Sequence, residues 1–84
     1  MTLTWFWSSD CPFCRQLQPR VRTFAARQAA TLQEIEAPIV DEDGQPQVPA
    51  LHCDQQAVGG MLLVGQYCLD ALQYHLKIPK EAWV

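Results

Sequence analysis

The chain has 84 residues, four of them cysteine, with 49% apolar and 18% charged side chains and a formal net charge of −3. That length makes one domain, residues 1–84, near the lower limit for a self-sufficient core. The composition is too apolar for a disordered segment, and the negative balance gives no electrostatic footprint for nucleic acid. The longest apolar run, Met61 to Val64, is too short for a membrane span.

Leu3-Thr4-Trp5-Phe6-Trp7 is aromatic and β-prone, and predicts a first strand buried on both faces. No basic leader or long apolar segment precedes it, so the expected compartment is the cytoplasm, where thiols stay reduced. Ser8-Ser9-Asp10 punctuates the chain, and Pro12 suits the first position of a helix because its missing N–H would have no partner there. Phe13, Leu17, Val21, Phe24, Ala25 and Ala29 recur at spacings of three and four, which predicts an amphipathic helix to about Ala30, bent at Pro19. Residues 33–40 alternate weakly around Pro38 and read as an edge strand. A turn follows over 41–46, then a third strand over 48–53 and a fourth over 57–64, the last two forming a hairpin. Cys68, Leu69, Leu72, His75 and Leu76 share one face of a closing helix that stops before Pro79. The expected class is α/β in the order β-α-β-β-β-α, a mixed four-stranded sheet flanked by helices.

Arg15, Arg20, Arg22 and Arg27 follow the first two cysteines, and Glu34, Glu36, Asp41, Glu42 and Asp43 form an acidic stretch; both read as solvated surfaces. The chemistry concentrates at Cys11-Pro12-Phe13-Cys14. Two thiols three positions apart at a helix start lie within one turn and can close a small disulfide, while the helix dipole and free N–H groups favour an anion on the first sulfur. Cys11 is then the attacking thiolate and Cys14 the resolving thiol. The competing readings are half of a zinc site, a cluster shared between subunits through Cys11, or inert buried thiols. Cys53 and Cys68 supply no second pair at ligand spacing, so redox chemistry leads and no resident metal or cofactor is expected.

The segment Phe6-Trp7-Ser8-Ser9-Asp10-Cys11-Pro12-Phe13-Cys14, with Pro19 five residues on, resembles the active-site segment of the thioredoxin-like superfamily. The Pro-aromatic pair within the motif is closer to glutaredoxins. Val48-Pro49 resembles the cis-proline site that borders the dithiol in both, and Val64-Gly65 fits the thioredoxin register. The resemblance covers residues 3–76. It implies a thioredoxin-like fold, dithiol-disulfide oxidoreductase activity, and a substrate groove formed by Trp7, Pro12, Phe13, Val48 and Pro49. It also implies a disulfide-containing protein or small disulfide as partner, and glutathione or a reductase as electron donor.

The departures from the pattern shape the substrate expectation. Ser8-Ser9-Asp10 and Gln47 stand where glutaredoxins hold their basic and threonine glutathione contacts, which favours a protein disulfide over glutathione. Trp5 stands where thioredoxins hold a buried acid, so no carboxylate assists Cys14 from that position. The 34 residues between Cys14 and Pro49 leave little room for a second helix, and a loop is expected there. Cys53 and Cys68 read as buried apolar residues, with an auxiliary disulfide as the alternative. His52 and His75 read as locally hydrogen-bonded, and Trp83 as packing on the sheet or meeting a partner. A non-catalytic peptide-binding module and a glutaredoxin-type glutathione-dependent reductase are the remaining alternatives.

Overall fold

Leu3 and Trp5 alternate with Thr2, Thr4 and Phe6, and the pleat of a strand sends the two sets to opposite faces. The computed structural model, which describes residues 1–36, 42–44 and 47–84, places them in β1 (Thr2–Phe6). There follow α1 (Pro12–Arg27), β2 (Thr31–Ile35), β3 (Ala50–Cys53), β4 (Leu62–Val64) and α2 (Cys68–His75). Short 3-10 turns occupy Gln56–Val58 and Lys80–Ala82. The strands form one mixed sheet in the order β2-β1-β3-β4, with β1 parallel to β2 and antiparallel to β3, and β3 antiparallel to β4.

The register aligns Leu3 with Cys53 and Leu32, Trp5 with Leu51, and Leu51 with Leu63, so these side chains share one face. They form a single core with Leu17, Val21, Phe24 and Ala25 of α1 and Cys68, Leu69 and Leu72 of α2. Both helices therefore cover the same face. Residues of the opposite parity lie in another row, Ile35-Phe6-Ala50-Val64 across the four strands, and none of these packs in that core. Trp5 and Phe24 are the largest fully buried side chains, each contributing about 1.5–3 kcal/mol through burial.

Several bounds differ from the sequence expectation for physical reasons. The first strand is fully buried on the Leu3–Trp5 face and only half-buried at Thr2, Thr4 and Phe6, and it ends at Phe6, although Trp7 N–H still donates to Ile35 O at 3.1 Å. Helix α1 ends at Arg27 because Ala29 turns to φ 51° and Ala30 N–H closes back on Ala25 O. The helix keeps Pro19 in its interior, but Phe13 and Ala29 leave the buried stripe and are exposed. Strand β2 starts two residues early and stops at Ile35, before Pro38; the rest of the expected strand, 37–40, lies outside the described residues. It is an edge strand. Of the expected turn, Glu42, Asp43 and Gly44 are described and exposed, with Gly44 at φ 77°. Strand β3 starts only after Pro49. The fourth strand shrinks to Leu62–Val64, since Gly59 and Gly60 both take positive φ, at 66° and 74°, which a strand cannot accommodate. The β3–β4 hairpin forms as expected, but its connection is correspondingly longer.

Candidate functional site

Pro12 opens α1, and Cys11 precedes it in extended geometry (φ −97°, ψ 111°) as the helix N-cap. An N-cap side chain accepts one of the unpaired N–H groups of the first turn. Here that acceptor is sulfur: Cys14 N–H donates to Cys11 Sγ at 3.1 Å. The preceding loop is tied to the same turn. Cys11 N–H donates to Ser8 O at 3.1 Å, Asp10 N–H to Ser8 Oγ at 3.4 Å, and Arg15 Nη2 to Ser9 O at 3.0 Å.

The two sulfurs differ in environment. Cys11 lines a cleft of about 270 Å3 with Ser8, Asp10, Pro12, Phe13 and Val48. Cys14 is 1% exposed and belongs to the core. Burial pushes its thiol up to about 12, the bond with Cys11 adds to the shift, and a backbone hydrogen bond from Ser8 offsets part of it. The inner sulfur is thus held as a thiol while the outer one faces the cleft. All four cysteines are free.

Opposite Cys11, the Val48-Pro49 peptide is cis. Val48 lines the cleft and Pro49 is buried behind it. Gly65 N–H donates to Pro49 O at 2.8 Å, and Cys68 N–H to Gly65 O at 3.0 Å, which ties the start of α2 to the proline. Gly65 has φ 103°, a conformation L side chains rarely adopt.

Of the residues expected at the site, Cys11, Pro12, Phe13 and Val48 meet in the cleft, with Cys14 and Pro49 behind it. Trp7 does not line it: it packs half-buried against the core with its Nε1 enclosed. Ser8 and Asp10 take its place on the rim. The sequence placed both beside the motif, as punctuation and at the position of the glutaredoxin basic contact, but not among the groove residues. Trp5 fills the position without an acid, and its Nε1 has no hydrogen-bond partner in the core.

Cys53 and Cys68 are both buried, and burial raises both thiols, that of Cys68 to about 11. His52 is half-buried on the same face of β3 as the buried Ala50, and His75 meets Tyr74 edge to face at 5.8 Å. Among the described residues no group of three or more His, Cys, Asp or Glu side chains could hold a metal, and no helix is long and apolar enough to cross a membrane. No family model, curated protein or solved structure matches the chain.

Proposed function

We propose that the protein is a thioredoxin-like dithiol-disulfide oxidoreductase of the cytoplasm. The observation that carries this reading is the contrast within one helix turn: Cys11 Sγ accepts the Cys14 N–H and opens on a cleft, while Cys14 is enclosed behind it. The helix-start N–H and dipole favour negative charge on the outer sulfur.

In the proposed reaction the Cys11 thiolate attacks one sulfur of a substrate disulfide. A Cys11–substrate disulfide forms, the substrate S–S bond breaks, and the second substrate sulfur leaves as a thiolate. Cys14 then gives its proton to the leaving sulfur and attacks Cys11 Sγ. The Cys11–Cys14 disulfide forms as the mixed disulfide breaks, so the substrate gains two electrons and the protein loses two. Glutathione or a reductase returns the pair to dithiol.

Phe13, 42% exposed, and Val48 offer apolar contacts beside the sulfur, and Val48 has backbone groups suited to an extended peptide. Asp10 puts a carboxylate on the rim of the cleft, which disfavours an anionic small thiol such as glutathione and supports a protein disulfide as substrate. Dithiothreitol-driven reduction of insulin tests the reading. The wild type is expected to exceed the reagent alone, and Cys11→Ser to fall to the reagent rate. A wild type no faster than the reagent would overturn the protein-disulfide reading and return the choice to its alternatives, the peptide-binding module and the glutathione-dependent reductase among them.

A further inference from the structure

The two lysines of the chain, Lys77 and Lys80, stand together at the far end of α2 from the Gly65–Pro49 bond. They line a groove of about 690 Å3 with Tyr74, His75, Ile78 and Trp83. This volume falls within the range of small-ligand sites, about 300–1,000 Å3, room enough for one aromatic side chain and its flanking groups. The groove shares no residue with the Cys11 cleft.

Its Trp83 wall is held in place. Trp83 Nε1 donates to Ile78 O at 2.8 Å and Trp83 N–H to Lys80 O at 3.1 Å, so the indole is held by its polar edge. The next residue is clamped from both helices: Val84 N–H donates to Oε1 of the fully buried Gln73 at 2.8 Å, and Arg20 Nη2 donates to Val84 O at 2.7 Å. Lys80 Nζ lies 5.8 Å from the Trp83 ring centroid. Lys77 follows α2 at φ 58°, which turns the chain out of the helix between Tyr74 and Ile78.

The charge pattern selects the occupant. Seven of the nine acids precede residue 55, and beyond Asp70 the chain carries Lys77 and Lys80 against Glu81 alone, which does not line the groove. A cationic rim over an aromatic wall, on a chain of net charge −3, complements carboxylates flanking an apolar ring. We infer that this groove binds an acidic peptide segment of a partner protein, with carboxylates on Lys77 and Lys80 and an aromatic side chain against Ile78, Tyr74 and Trp83. The inference stands independently of the redox reading.

Calorimetric titration of the full chain tests it, using an N-acetylated pentapeptide with a central phenylalanine between glutamates, and the same peptide with glutamines. The acidic peptide is expected to bind, more weakly as salt is raised, and the glutamine peptide about tenfold more weakly. The double variant Lys77→Gln/Lys80→Gln, its fold checked by circular dichroism, is expected to lose about tenfold toward the acidic peptide. No binding of the acidic peptide at millimolar concentration would overturn the inference. So would equal affinity for both peptides, or full affinity in the double variant.

Discussion

Cys11 and Cys14 occupy one helix turn but face different surroundings, and proton linkage makes that difference measurable. The Cys14 thiol titrates near its ordinary 9.0 when unfolded and at about 12 when folded and reduced. Below pH 9 both states hold the proton, and the contribution to stability is complete. As pH rises from 9 toward 12 the unfolded chain releases the proton and the folded one keeps it, so stability falls. Each such thiol costs about 1.4 kcal/mol per pH unit across its window. Cys68, raised to about 11, acts in the same direction. Urea unfolding of the reduced protein on the alkaline side of pH 9 is expected to show this loss, and Cys14→Ala to remove its share of the slope. An unchanged slope in Cys14→Ala would show that the inner thiol is not enclosed in solution.

At the scale of elements, the connections hold the site as much as the helices and strands do. Gly65 joins β4 to α2 at φ 103° while donating to Pro49 O. A Cβ there meets nothing within 4 Å, so the cost of Gly65→Ala is conformational, about 1–3 kcal/mol in thermal or urea unfolding. On the outer side of α1, Arg22 Nε reaches Glu34 Oε1 at 2.7 Å, and Arg22 holds the Glu34 carboxyl below its ordinary value. That stabilisation is present above pH 4.5 and is lost as pH falls through the lower folded value. Both side chains are partly exposed, so a double-mutant cycle on the pair is expected to return no more than about 1 kcal/mol.

The elements that were legible in the sequence are those with a buried stripe. Leu17, Val21, Phe24 and Ala25 gave α1, and Cys68, Leu69 and Leu72 gave α2, because helix burial leaves a period in the sequence. Strands β2 and β4 are short edges with mostly exposed residues, so no alternation marks their ends. The apolar stretch Ala57 to Val64 read as one strand, yet successive glycines with positive φ split it into a 3-10 turn and a three-residue edge. At the site, Cys11, Cys14 and Phe13 were legible from motif and spacing, and Val48 only through the resemblance of Val48-Pro49 to a cis-proline site. Ser8 and Asp10 were legible as neighbours of the motif but not as lining of the cleft, since nothing about a short polar linker says which way it folds.

At the scale of the molecule, one sheet face carries nearly all of the core, with Ala50 the buried exception on the other face, and a small domain of this kind has little stability in reserve. Trp5 is fully buried at the centre of that face. Trp5→Ala is expected to cost about 3–5 kcal/mol, against a total of about 5–15 kcal/mol for a typical domain, and denaturant titration measures the loss directly. The same layer brings the N-termini of α1 and α2 to the end of the sheet where Val48-Pro49 lies, so the core that stabilises the chain also sets the distance between dithiol and cleft. Trapping tests the central claim most directly. Cys14→Ser, mixed with insulin and quenched with acid, should be recovered by intact mass spectrometry as a one-to-one mixed disulfide joined through Cys11, because the attacking sulfur is present and the resolving one is gone. An adduct that maps to Cys53 or Cys68, or no adduct while Cys11 is reduced and the protein folded, would contradict the account.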